Sequence, residues 1–129
     1  MSSKTPDDRK YTASHEWVKT EGEELVIGIT DHAQSELTDI VFVDLPTVGK
    51  AVEPKQSVLV LESVKTVADV YAPAKGTVSA ANAELKQHPE WINQDPYGKG
   101  WLYRLKATGA PTGLISAAEY TALTAGAGH

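Results

Sequence analysis

The 129-residue sequence contains no cysteine, which removes disulfides, thiolate metal sites and a cysteine nucleophile together. Any sulfur chemistry must therefore come from something attached to the chain. Cationic residues are the minority charge, 12 Lys and Arg against 17 Asp and Glu, for a net charge of −5. That balance excludes the concentrated basic face with which nucleic-acid binders displace counterions. It favours solubility and steering toward partners that carry basic patches. Long apolar runs are also missing, and the short ones present fall far below the roughly 20 residues that span a bilayer. The opening Met1-Ser2-Ser3-Lys4-Thr5-Pro6-Asp7-Asp8-Arg9-Lys10 has none of the apolar character of a signal peptide. The expected compartment is the bacterial cytoplasm, favoured by Met1, or the mitochondrial matrix for a processed form, with no membrane association.

What is present reads as globular, with 41% apolar and 22% charged residues. Residues 1–10 are expected to form a flexible N-terminal tail, 11–125 a single domain, and 126–129 a frayed end. From Tyr11 the pattern is one of short strands punctuated by turns. His15-Glu16-Trp17-Val18 leads through Thr20-Glu21-Gly22-Glu23 into Leu25-Val26-Ile27-Gly28-Ile29. Thr30-Asp31 reads as the start of a short helix, either side chain capping it, with Ala33 and Leu37 on one face. Ile40 to Val43, Val58 to Leu61, Val67 to Tyr71, Thr77-Val78 and Trp101 to Leu105 continue the strand series. Residues 87–100 read as a loop because of Pro89, Asn93, Asp95, Pro96, Gly98 and Gly100. Ser116-Ala117-Ala118-Glu119 has capping-box spacing and opens a C-terminal helix carrying Tyr120 and Leu123. The expected fold is mainly β.

The middle of the chain repeats itself. Ile40 to Gly49 is echoed by Val67 to Gly76, and Pro46 and Pro73 are separated by the same interval as Gly49 and Gly76. Two related halves suggest a quasi-twofold barrel or sandwich. Between them lies Glu62-Ser63-Val64-Lys65-Thr66-Val67-Ala68-Asp69. A strand enters this segment and another leaves it after few residues, so the chain must turn back as a hairpin. Lys65 therefore stands at or beside an exposed tip. Its ammonium on a long flexible stem is a handle for acylation by a separate ligase, not a general base.

A lysine at the turn between two repeated halves is the layout of lipoyl and biotinyl carrier domains. The blocks Ser14-His15-Glu16-Trp17-Val18, Gly28-Ile29-Thr30-Asp31-His32-Ala33-Gln34, Asp39 to Pro46, Glu62-Ser63-Val64-Lys65 and Trp101-Leu102 resemble, in order, the H-protein family of the glycine cleavage system. The resemblance runs from about Tyr11 to the terminal helix. It implies a barrel-sandwich hybrid that carries lipoic acid as an amide on Lys65, presented by Glu62, Ser63 and Val64, and no catalysis of its own. It implies a monomeric carrier whose partners are a pyridoxal-phosphate glycine decarboxylase, a tetrahydrofolate-dependent aminomethyltransferase, dihydrolipoamide dehydrogenase and a lipoate-attaching enzyme. The arm would supply the missing sulfurs and carry an aminomethyl group. By the same resemblance Ser14, Glu16, Glu36 and Asp69 belong to a cleft that holds the loaded arm, with Glu16 or Asp69 suited to pair with its ammonium. Glu36 stands where some relatives have histidine, making that cleft more acidic. Thr38 stands where relatives usually have glycine, which implies a less demanding turn there.

Rival readings use other residues. A lipoyl relay to other enzymes, or a lipoyl module of a 2-oxo acid dehydrogenase, would use Lys65 in the same way. A biotin carrier usually shows Met-Lys-Met, which Glu-Ser-Val-Lys is not. A small hydrolase built on Ser14, His15 and Asp31 lacks the turn that exposes such a serine. His15-Glu16 and Asp31-His32 lie on different elements without metal-ligand spacing. His88 reads as a solvent-exposed loop residue without a partner.

Overall fold

The computed structural model describes residues 5–111 and 113–127. The alternating patterns become strands β1 (Lys10–Tyr11), β2 (Glu16–Glu21), β3 (Glu24–Ile29), β4 (Ile40–Asp44), β5 (Ala51–Val52), β6 (Ser57–Ser63), β7 (Val67–Tyr71), β8 (Gly76–Ala81) and β9 (Tyr103–Ala107). Helices α1 (Asp31–Leu37), α2 (Trp91–Gln94) and α3 (Ala117–Ala127) accompany them. A six-stranded sheet runs β1-β2-β3-β9-β8-β5 and a three-stranded sheet runs β4-β6-β7, with antiparallel pairing throughout. Val18, Ile27 and Leu105 of the larger sheet share one buried core with Val43, Leu61 and Val70 of the smaller. No helix among the described residues is long and apolar enough to cross a membrane.

The larger sheet is covered on its other face as well. Tyr11, Trp17, Val26 and Tyr120 form a second buried cluster there, bordered by Tyr97, Trp101 and Ile115. Trp17 is paired with Gly28 across β2 and β3. A Cβ on Gly28 would lie 2.5 Å from the Trp17 indole, so only glycine lets the ring lie flat on the sheet. The capping box forms as its spacing predicts. Ser116 N donates to Glu119 Oε1 at 2.9 Å and Glu119 N donates to Ser116 Oγ at 3.1 Å. Of the two apolar residues on that helix, Tyr120 is buried whereas Leu123 stays exposed. Thr30 is the cap of α1, its Oγ1 accepting from Ala33 N at 3.1 Å.

Several expectations change. The expected tail extends into packed structure: Lys10 begins β1, and Arg9 is held over the Trp17 and Tyr97 rings, 4.7 and 5.3 Å from their centroids. Residues 1–4 of that tail, and 128–129 of the expected frayed end, lie outside the described residues. Residues 126–127 belong to the last turn of α3. The expected loop contains α2, and His88 has partners, stacking on Trp91 and meeting Glu90.

The repeat is looser than its sequence suggests. Its corresponding strands β4 and β7 do flank β6, but β9, which closes the second unit, lies in the other sheet between β3 and β8. Its two glycines serve different ends. Gly49 adopts a φ of 97°, whereas Gly76 lies so close to β9 that a Cβ would meet the Lys106 carbonyl at 2.4 Å.

Thr38 is the clearest correction. Its φ of 62° and ψ of −149° belong to a region that glycine alone adopts freely, so the turn is as demanding as one built for glycine. Asn93 of α2 holds it in place. The Asn93 amide donates to Gln34 Oε1 and to the Thr38 carbonyl, and its Oδ1 accepts from Ile40 N. Replacing Thr38 with glycine removes strain of about 1–3 kcal/mol against an unfolded-state entropy cost of about 0.4–1 kcal/mol. Thr38→Gly is expected to raise stability by about 1 kcal/mol in urea denaturation; an unchanged or lower midpoint would show that the threonine is not strained.

Candidate functional site

The hairpin tip follows from pairing. β6 and β7 are antiparallel up to the Glu62–Val67 pair, leaving Ser63 to Thr66 to make the turn. Ser63 N donates to the Thr66 carbonyl at 2.8 Å, closing the loop. Ser63 Oγ accepts from Lys65 N at 3.2 Å and from Thr66 N at 3.0 Å, so one hydroxyl serves both amides of the bend. Val64 N is tied to the Asp39 carbonyl at 3.0 Å, which fastens the tip to the segment before β4. Lys65 is exposed on this fixed bend, with Glu62 and Val64 exposed beside it. Phe42, Glu62 and Val67 lie in one row across the small sheet. Val64 and Val67 are 66% and 61% exposed, an apolar border unusual next to a lysine.

β7 is an edge strand of the smaller sheet. Beside it lies a groove of about 210 Å³ lined by Ser14, Glu16, Glu36 and Asp69. All four cleft residues expected from the sequence thus meet in one place. Ile29, Leu37, Leu61, Ala68 and Val70 supply its apolar walls, and His15 and His32 complete it. Asp69 stands on β7 two residues beyond Val67, where that strand leaves the bend carrying Lys65.

The acids differ in character. Glu16 is only 2% exposed. Its Oε1 accepts from Thr12 Oγ1 at 2.5 Å and Ser14 Oγ at 2.7 Å, and its Oε2 from Tyr71 N at 3.2 Å. Burial pushes its carboxyl above the usual range, and these donors oppose the shift without cancelling it. Burial first, and then this carboxylate, push the Tyr103 hydroxyl up. Glu16 therefore has both carboxylate oxygens engaged by donors of the chain itself. Asp69 and Glu36 are exposed, and Asp69 Oδ1 accepts from Ser57 Oγ at 2.7 Å.

The two histidines are what sequence reasoning missed as members of this site. They sit on separate elements, yet their rings lie 4.9 Å apart. The only signal was that His15 stands between Ser14 and Glu16. No group of three or more His, Asp or Glu disposed to hold a metal ion occurs among the described residues. A second groove of about 490 Å³ adjoins the other side of Ser14 and Glu16, lined by Thr12, Lys55, Tyr71 and Pro73 among others. It lies beyond Asp69 along β7, farther from Lys65.

Comparison with known proteins places these features in context. The family model described as glycine cleavage H-protein matches residues 9–126. The chain is 50% identical over 118 residues to a glycine cleavage system H protein of Herpetosiphon aurantiacus, covering 92% of each. It is 51% identical over 118 residues to that of Deinococcus radiodurans, covering 92% of this chain and 95% of the relative. The crystal structure of a glycine cleavage system H protein from Mycobacterium marinum superposes with a TM-score of 0.86 at 40% identity, over 96% of this chain and 99% of that one.

The raised Glu16 carboxyl carries a pH signature. A group whose folded pKa exceeds its unfolded value contributes stability below the unfolded value, which is lost as pH rises through the folded one. From the ordinary value of 4.5 upward, Glu16 thus subtracts from stability as it ionises. Glu16→Gln is expected to flatten the fall of unfolding free energy just above pH 4.5; an unchanged slope in pH-resolved urea melts would show that Glu16 titrates normally.

Proposed function

The chain belongs to the glycine cleavage H-protein family, and from that membership we propose that Lys65 is its lipoyl attachment site and the groove beside β7 the resting place of the loaded arm. Within the glycine cleavage system the chain is the lipoyl-carrier shuttle and not itself a catalyst. The observation that carries the residue assignment is the position of Lys65, exposed on a rigid bend with an acid-tipped groove within reach of an extended lysine-plus-lipoyl arm.

The residues present fit the group. Ala33, Leu37 and Ala68, each partly exposed, offer apolar wall to a hydrocarbon arm, and Asp69 and Glu36 lie where a cationic end would arrive. The lipoyl group supplies a dithiolane that takes up the aminomethyl group on sulfur and cycles between disulfide and dithiol, chemistry this cysteine-free chain cannot perform. Ser63 holds the bend so that Lys65 Nζ is presented away from the body. Glu62, Ser63 and Val64 form the edge that a lipoate-attaching enzyme reads. Asp69 and Glu36 attract the ammonium of the loaded arm, the apolar walls exclude water from it, and Ser14 and Glu16 keep the groove floor in shape. Tethering raises the effective concentration of the arm at each docked enzyme.

The partners that follow are glycine decarboxylase, aminomethyltransferase, dihydrolipoamide dehydrogenase and the lipoate-attaching enzyme, met by a monomeric carrier. The bacterial relatives support a cytoplasmic setting.

Lys65→Arg keeps the charge but removes the acylable amine, so it is expected to abolish both lipoylation, read by intact mass, and glycine-dependent activity of the reconstituted system. The circular dichroism spectrum should be unchanged; retained activity would reject Lys65 as the attachment site. Asp69→Asn is expected to hasten loss of the aminomethyl group from loaded protein about tenfold, in line with removing one close ion pair. Equal decay would take Asp69 out of the groove's function.

A further inference from the structure

Two imidazoles in a groove that receives a cation are chemically conspicuous, because each is neutral or cationic according to a small change in pH. His15 and His32 line the same groove as Glu36 and Asp69, with their rings 4.9 Å apart. Resting on the reading of that groove as the seat of the loaded arm, we propose that His15 and His32 are charge-selecting positioning residues. Neutral, they leave Glu36 and Asp69 to hold the cationic end of the arm; protonated, they expel it.

A buried hydrogen-bond chain sets the state of His15. Thr30 is fully buried, and its Oγ1 accepts from Ala33 N. Tyr120 Oη, 2.7 Å away, is the acceptor within reach of the Thr30 proton. With Thr30 donating to Tyr120, the Tyr120 hydroxyl is free to donate to His15 Nδ1 at 2.6 Å, an arrangement that suits the neutral imidazole. Charging His15 at Nδ1 would require the Tyr120 hydroxyl to turn from donor to acceptor there. Burial, and then the neighbouring His32, also lower the His15 pKa, against a smaller pull from Glu36. Among the described residues no such chain reaches His32, on the first turn of α1.

The charged and titratable groups facing the pair are Glu36 on α1, Glu16 on β2, Asp69 on β7 and Tyr120 on α3, with Asp31 adjoining on α1. Asp31 Oδ1 accepts from Gln34 Nε2. Burial pushes Tyr120 up to about 12, so it does not ionise in the range concerned. Neutral histidines therefore leave a groove of three acids, and two imidazolium charges offset two of them. An added positive charge within several ångströms is enough to weaken the hold on an ammonium about tenfold.

The test uses full-length protein lipoylated on Lys65 and loaded with the aminomethyl group, both verified by intact mass. The docked fraction is read from the amide NMR shifts of Ala68, Asp69 and Val70, and histidine charge from the imidazole Cε1–H shifts, between pH 8 and 5. In the native chain docking is expected to weaken about tenfold in step with the imidazole titration. The variant pairing His32→Gln with His15→Asn, whose asparagine tolerates the His15 φ of 74°, should lose the pH step seen in the native chain. Tyr120→Phe should raise the pH at which His15 titrates. A native docking curve that ignores the imidazoles, or a double variant with the native midpoint, overturns the inference while leaving the carrier reading intact. Absence of lipoyl on Lys65 overturns the carrier reading, and this inference with it.

Discussion

One buried carboxylate joins the two sheets beside the groove. Glu16 comes from the larger sheet, yet Tyr71 N at the end of β7, in the smaller sheet, reaches its Oε2. Thr12 and Ser14 close on its other oxygen. A carboxylate taken out of water must be met by donors or neutralised. Here the donors come from the smaller sheet and from the turn before β2, while the carboxylate itself belongs to the larger sheet, so satisfying it links the two sheets beside the groove. The edge of β7 then lies open beside α1, and the space between them is the groove.

A lysine on a floppy loop would reach its groove in many geometries, most of them unproductive. Ser63 closes the bend on itself, and Val64 ties it to the strand entering the sheet. Flexibility is thereby concentrated in the side chain of Lys65 and whatever it carries, while its root is fixed. Such a division suits a carrier, which gains from a mobile arm and loses from a mobile base.

The acids of the groove divide the work in a way their sequence spacing does not disclose. Glu16 is sealed and saturated, while Asp69 and Glu36 face outward. His15 is fixed by a hydroxyl chain that reaches the C-terminal helix, so α3 contributes to the groove through Tyr120 without lining it. The helix that caps the outer face of the larger sheet is in this way connected to the chemistry on the inner side.

Local signals were legible from the residues alone. Strand alternation, the Ser116–Glu119 capping box, the Thr30 cap and the hairpin carrying Lys65 depend on neighbours in the chain, and propensity and periodicity report on those directly. The set Ser14, Glu16, Glu36 and Asp69 was legible through resemblance, and the structure does bring them together. Tertiary structure decided the rest, because it depends on atoms distant in sequence. Thr38 was expected to relax its turn and instead adopts a backbone suited to glycine, held there by Asn93 from a segment read as loop. Arg9 was read as tail, but the faces of Trp17 and Tyr97 hold it. The repeat foretold related strands without foretelling that β9 would join the other sheet. His15 and His32 become neighbours only when the end of β3 turns into α1 against the chain entering β2, a contact that no period in the sequence encodes.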